Sequence, residues 1–152
     1  MPDLRWNLLE EVLHIERGQR ARTLGRLPES DVSPEVLMLE MMAQTAGLAF
    51  GSWFDFNADV VFAKVASASF NGSPPAGAAL EVEAAAEEIR EEGSWFQGKI
   101  SFQGRPAAEA RLMLLNAGCL QPSSGKSTTF HENFMKHYRV FEKVVSPARQ
   151  AP

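Results

Sequence analysis

The chain has 152 residues, of which 45% are hydrophobic and 22% charged, a composition typical of one globular domain with a sizeable core. Its formal net charge of −4 gives no electrostatic reason to expect a nucleic acid or an anionic membrane as partner. The single cysteine, Cys119, excludes an internal disulfide and a cysteine metal cluster, and no N-terminal segment is typical of a signal peptide, so we expect a cytoplasmic protein.

The first elements are predicted to be two strands joined by a turn. Residues 8–15 are rich in Leu and Val, and the charged stretch 16–22 contains Gly18, which indicates strand, turn and strand. Residues 7–13 are also compatible with a helix. Residues 25–34 hold two prolines, a glycine, two serines and an aspartate, which are typical of a loop.

A long buried helix is predicted next, from Ser33 to about Trp53. Ser33 can cap the first free amides, Pro34 fits the first helical position, and Glu35 favours the positive end of the helix dipole. Polar side chains interrupt residues 36–50 at three positions: Glu40, Gln44 and Thr45. Such a helix must be surrounded by protein. It is not a membrane span, because the run is shorter than roughly 20 residues and carries a carboxylate near its middle.

The second half of the chain predicts long antiparallel strands that cover this helix. The β-rich segments are residues 60–70, 80–84, 95–103 and 107–115. Hairpin turns are expected at residues 92–93 and 104–106, where glycine and proline occur.

The composition changes after the last predicted strand. Residues 121–129 are rich in Ser, Gly, Pro and Thr, and aromatic residues then recur at helical spacing: Phe130, Phe134, Tyr138 and Phe141. We therefore predict an α+β domain over residues 1–118, a linker over 119–129 and a C-terminal helical extension over 130–152.

Glu40 is the residue on which any chemistry is expected to centre. It lies one helical turn from Gln44 on the same face, among Leu, Met and Val. A carboxylate in apolar surroundings usually gains proton affinity, as a general acid or base near neutral pH requires. The structural alternative is that Glu40 only bonds to Gln44, or to an arginine across an interface.

The helix start resembles that of the 3-hydroxyacyl-acyl-carrier-protein dehydratases of fatty-acid synthesis. Residues 34–44 read P-E-V-L-M-L-E-M-M-A-Q, and the family pattern is P-G-V-L-x-I/L-E-A-x-A-Q. Residues 70–80, F-N-G-S-P-P-A-G-A-A-L, and the last hairpin with its A-E-A core at 108–110 are similar to the family in the same order. The resemblance covers residues 6–117. It implies the hotdog fold, a curved antiparallel sheet wrapped around a central helix, and a homodimer or higher oligomer of dimers that binds acyl-carrier-protein or CoA thioesters.

The loop before the helix departs from the family pattern. The family has histidine fourteen positions before the helix acid, in G-H-F-P-G, whereas residues 25–29 here read G-R-L-P-E, with Arg26 in the histidine position. The dehydratase chemistry implied by the family needs a base for the proton α to the thioester carbonyl. Guanidinium stays protonated and has no acceptor. Glu35 also replaces the family's glycine, whose backbone amide would polarise the thioester carbonyl.

Three functions remain open. The first is a dehydratase-type acyl-thioester site impaired in standard dehydration, either degenerate or using Glu40 with an unrecognised partner. The second is a hotdog thioesterase in which Glu40 activates water or attacks the thioester, and Arg26 stabilises the oxyanion. The third is a non-catalytic dimerisation or acyl-binding module with an Arg26–Glu40 salt bridge across the interface.

The predicted site residues are Glu40 and Arg26 for catalysis and Glu35, Val36, Gln44 and Phe70 for the substrate. No metal or cofactor is expected, since no His, Cys, Asp and Glu cluster has ligand spacing. The histidines at 14, 131 and 137 are expected to be ordinary surface or core residues.

Overall fold

The computed structural model describes residues 8–119 and 129–146. The strands are β1 (Leu9–Glu16), β2 (Arg20–Arg26), β3 (Val60–Phe70), β4 (Ala79–Ile89), β5 (Gly93–Phe102), β6 (Arg105–Asn116) and β7 (Val144–Val145). The helices are α1 (Pro34–Trp53), α2 (Glu132–His137) and α3 (Val140–Lys143), with a short 3-10 helix at Ala117–Cys119. The seven strands form one sheet in the order β3-β6-β5-β4-β2-β1-β7, in which β7 runs parallel to β1 and every other pair is antiparallel.

Helix α1 forms the centre of the core, as its apolar sequence predicts. The Ser33 side chain accepts a hydrogen bond from the Val36 amide at 3.3 Å, and Pro34 follows as the first helical residue. Thirteen of its twenty residues are buried, because the helix contacts each of the strands β1 to β6. The least buried part is the N-terminal half, where Val36 is 51% exposed.

The hairpin between β5 and β6 turns earlier than predicted. Gln103 and Gly104 both have positive φ angles, 51° and 76°, which is the conformation that suits a tight two-residue hairpin. Strand β6 therefore begins at Arg105, and Pro106 lies inside it rather than in the turn. Pro106 is tolerated because it sits near the start of the strand, where the register with β5 shifts.

The C-terminal segment forms two short helices and a strand where the sequence pattern predicted a single helix. Arg139, in the left-handed region with φ 53°, separates α2 from α3. Strand β7 then pairs with β1 through Ile15 and Glu16, because β1 offers an open sheet edge. Phe130, Met135 and Tyr138 join the same buried cluster as α1. The predicted linker falls almost entirely on residues 120–128, which lie outside the described residues, as do residues 147–152.

The two edges of the sheet differ. The edge at β1 is partly covered by β7, whereas β3 pairs with β6 on one side and has no other described strand beside it. Residues 61–69 of β3 are all exposed, including Val61, Phe62 and Val65. An eleven-residue apolar edge strand is an available pairing surface.

Candidate functional site

Glu40 lies half-buried in the N-terminal half of α1. Its Oε1 accepts a hydrogen bond from Gln44 Nε2 at 3.1 Å, the contact that their spacing predicts. Burial raises the pKa of Glu40 above its usual value, and the hydrogen bond from Gln44 opposes part of this rise. The raised pKa brings the carboxyl closer to the range in which it can both donate and accept a proton near neutral pH.

The oxygen of the Gln44 side chain contacts the backbone directly before β1. Its Oε1 accepts a hydrogen bond from the Leu8 backbone amide at 3.2 Å. A backbone amide can only donate, so this bond fixes which end of the Gln44 side chain carries the oxygen. The Nε2 group is thereby directed to Glu40. Gln44 therefore connects the Leu8 amide to the carboxylate of Glu40, and its predicted contact with substrate stays a prediction.

The remaining predicted substrate-binding residues lie at two places. Val36 shares the helix face of Glu40 and Gln44 and is exposed, and Glu35 is half-buried in the first turn. The amides of Val36 and Leu37 are hydrogen-bonded to Ser33, which leaves the Glu35 amide as the candidate donor to a ligand carbonyl. Phe70 is the last residue of β3 and packs half-buried against the core.

Arg26 is held at the end of β2 by groups other than Glu40. Its Nε and Nη2 donate to the two carboxylate oxygens of Glu10 at 2.7 and 3.3 Å, and Nη1 donates to the Gly77 carbonyl at 2.6 Å. The pair is exposed, and the guanidinium lowers the pKa of Glu10. A salt bridge of Arg26 to Glu40 across two subunits stays a prediction.

The partner Glu10 was missed by the sequence analysis. The register of β1 with β2 shifts between Leu9 and Glu11, so Glu10 sits at a bulge that directs its side chain toward Arg26. The approach of this end of β2 to α1 depends on Gly25, because a Cβ there would lie 2.9 Å from Met41 Sδ. No local sequence signal marks the bulge.

The three histidines lie on other elements. His14 is in β1 opposite Arg22, and His131 and His137 are at α2. His131 Nδ1 accepts a hydrogen bond from the Phe134 amide at 3.2 Å and caps α2, while the His137 ring packs edge-on against Tyr138. These contacts are structural.

Three cavities in the described part of the chain lie away from Glu40, and two of them are near elements discussed above. One of about 750 Å³ is at the far end of α1, lined by Phe56, Phe130, Met135 and Phe141 among others. Another of about 440 Å³ lies beside the loop after Phe70, between Asn71–Pro75 and the β5–β6 turn. The predicted thioester slot between the start of α1 and the end of β3, lined by both subunits, stays a prediction.

Within residues 8–119 and 129–146, no group of three or more His, Cys, Asp and Glu side chains is placed to hold a metal ion. In the same ranges no helix combines the length and apolarity needed to cross a membrane.

Comparison with known proteins supports the architecture. The structure of a hypothetical thioesterase protein with coenzyme A from Streptococcus pneumoniae TIGR4 aligns with TM-score 0.60 at 14% identity, over 80% of this chain and 92% of that one. The dehydratase heterocomplex ApeI:P from Xenorhabdus doucetiae aligns with TM-score 0.65 at 18% identity, over 82% and 88% of the two chains. The structure of smu.793 from Streptococcus mutans UA159 bound to acetyl CoA aligns with TM-score 0.59 at 14% identity, over 78% and 90%.

The curved sheet around a long central helix, together with these likenesses, defines a hotdog-fold protein, which confirms the predicted fold. No protein-family model matches the chain. A curated relative, the 3-hydroxyacyl-(acyl-carrier-protein) dehydratase FabZ of Variovorax paradoxus (strain S110), is 32% identical over 121 residues, covering 70% of this chain and 81% of the relative. The chain therefore belongs to the FabZ-type dehydratase family, as its helix motif predicted.

Proposed function

We propose that this protein binds acyl thioesters of an acyl carrier protein or coenzyme A beside Glu40 and is impaired in standard 3-hydroxyacyl dehydration. One observation carries the proposal. Glu40 has the half-buried, Gln44-bonded position that suits an acid or base, while Arg26 is hydrogen-bonded to Glu10 and Gly77. The acid half of the site is present and the base half is replaced by a cation.

The chemistry explains the impairment. Dehydration removes a proton from the carbon α to the thioester carbonyl and expels the hydroxyl on the next carbon, which needs a base and an acid on the substrate. Glu40 can protonate the leaving hydroxyl, because its pKa is raised by burial. Arg26 has no lone pair for the α proton, and its hydrogen bonds to Glu10 hold it fully protonated.

Hydrolysis of the thioester is the second candidate, favoured by the half-exposed position of Glu40. The Glu40 carboxylate would take a proton from water as the water oxygen adds to the carbonyl carbon. The C–S bond then breaks, and the released thiolate takes up a proton. Two of the similar structures hold coenzyme A or acetyl CoA, and one of these is a hypothetical thioesterase, which supports this alternative.

A panel of acyl-CoA and acyl-carrier-protein thioesters separates these functions. Binding is measured by calorimetry, hydration of enoyl thioesters by absorbance, and hydrolysis by thiol release. We expect binding of at least one thioester and hydration close to the uncatalysed rate. Thiol release would establish the hydrolytic alternative, and the absence of binding across the panel would contradict the proposal.

We further propose a cytoplasmic homodimer formed through β3. The strand carries one charged residue, Lys64, among Val, Ala, Ser and Phe, and no described strand pairs with the backbone groups of its outer edge. Pairing with the same strand of a second copy would satisfy those backbone groups and cover Val61, Phe62 and Val65. The partly exposed face of α1 at Val36 would gain a cover from the second subunit.

Charge placed on this strand tests the dimer. We expect Val65→Arg to raise the Kd of the dimer by at least about tenfold, because each of the two subunits would bring an arginine into the same interface. Val145→Arg is the matched control, since Val145 is 44% exposed on the opposite edge and Val65 is 38% exposed. Sedimentation velocity over a concentration series measures both. A wild-type monomer, or equal weakening by the two variants, would contradict pairing through β3.

A further inference from the structure

We propose that Tyr138 is a positioning residue for Glu40, acting through the first strand and Gln44. The described part of the C-terminal segment, residues 129–146 and called the extension below, lies outside the family motifs. It runs along the outer edge of β1, and the amide of Leu8, directly before β1, donates to the side chain of Gln44, which contacts Glu40. This proposal rests on the proposed function only in taking Glu40 as the centre of the site.

The first contact is a buried hydrogen bond between the extension and β1. The Tyr138 hydroxyl donates to the Leu9 carbonyl at 2.6 Å, across 129 positions of sequence. Burial raises the pKa of Tyr138 to about 12, so the phenol stays protonated and remains a donor at every physiological pH. The extension therefore holds Leu9 at a defined point.

The second contact connects the neighbouring residue to the site. Leu8 precedes Leu9 directly, and its amide donates to Gln44 Oε1 at 3.2 Å, while its carbonyl accepts from the Arg26 amide at 3.2 Å. Gln44 Nε2 then donates to Glu40 Oε1 at 3.1 Å. Movement of the Leu9 carbonyl would displace the Leu8 amide and so weaken one of the hydrogen bonds that orient Gln44.

The extension has other anchors, so loss of the Tyr138 hydroxyl should not detach it. The Arg17 amide donates to the Val145 carbonyl at 2.8 Å, and β7 pairs with the far end of β1. Phe130 packs against the last turn of α1, where a Cβ added at Gly51 would lie 2.4 Å from its ring. Tyr138→Phe therefore removes one hydrogen bond from a segment that stays docked.

The titration of Glu40 tests the proposal whether or not the protein turns over a thioester. Carbon-13 NMR follows the side-chain carboxyl of Glu40 in wild type and Tyr138→Phe. The pKa of Glu40 is set by burial and by the Gln44 hydrogen bond, which favours the carboxylate. We expect Tyr138→Phe to raise that pKa, because the Leu8 amide then holds Gln44 less firmly as a donor, and to speed hydrogen exchange at the Leu8 amide.

Two controls separate positioning from general loosening. In a Gln44→Leu background, Tyr138→Phe should leave the pKa of Glu40 unchanged, since the connecting residue is gone. Phe141→Ala loosens the extension at the exposed Phe141, which packs on Phe56. This substitution should also leave the pKa of Glu40 unchanged. An unchanged or lowered pKa of Glu40 in Tyr138→Phe, or an equal rise in Phe141→Ala, would overturn the proposal. Failure of the thioester panel would leave this result unaffected.

Discussion

Replacing Arg26 with histidine is expected to raise enoyl-thioester hydration by about 100 to 10,000-fold over wild type, the usual contribution of a positioned general base. The substitution supplies an acceptor at the end of β2, at the position that the sequence resemblance predicts to correspond to the family's histidine. Glu10 would then face imidazole instead of guanidinium. Because a neighbouring carboxylate stabilises imidazolium, the pKa of the new histidine should lie higher than in Arg26→His combined with Glu10→Gln.

The controls for this repair are Arg26→Ala and Arg26→Gln, which remove the cation without adding a base. The Arg26–Glu10 pair is exposed on the surface, so neither change should move the thermal midpoint much. Hydration is followed spectrophotometrically with crotonyl and longer enoyl thioesters for all four proteins. Robust hydration by wild type would refute the claim that the missing histidine disables the chemistry. Equal hydration activity of Arg26→Gln and Arg26→His, both above wild type, would show that removing the arginine is enough to restore hydration.

The fold could be predicted because its signals are local or periodic. Ser33, Pro34 and Glu35 mark a helix start through capping and dipole chemistry alone, and the structure has its N-cap and first residue there. An apolar helix of this length needs a sheet around it, and the strand segments that follow supply one. The boundaries of the β5–β6 hairpin were wrong by a few residues, because glycine and proline suggest a turn without fixing which residues take positive φ.

The contacts around the site were less predictable, because they join residues far apart in sequence. Glu10 reaches Arg26 through a bulge, and the position of a bulge depends on strand register. Tyr138 reaches Leu9 only because the extension follows β1, which the helical spacing of its aromatic residues did not indicate. By contrast, the Gln44–Glu40 contact is set by helical geometry and was expected.

Glu40→Gln is expected to lower the rate of any thioester turnover by about 100 to 10,000-fold. The same substitution is expected to stabilise the folded protein at neutral pH. The stability effect follows from the raised pKa of Glu40 in the folded state, caused by burial. Between the ordinary carboxyl value of 4.5 and the raised folded value, the folded protein binds more protons than the unfolded chain. The contribution of Glu40 to the free energy of unfolding therefore falls as pH rises through this window and stays low above it. Glutamine has no such titration and still accepts from Gln44 through its carbonyl oxygen.

Chemical denaturation of wild type and Glu40→Gln at a series of pH values from about 4 to 8 measures the difference. The variant should gain stability relative to wild type as pH rises, whereas Glu10, with its lowered pKa, acts with the opposite sign in both proteins and cancels. A pH-independent difference for Glu40→Gln would contradict the prediction, because it would mean that the pKa of Glu40 is the same in the folded and unfolded protein. Thioester turnover retained by Glu40→Gln would show that another residue acts as the acid or base, and His14 would be the first to test. Glu40 would then have only its structural contact with Gln44.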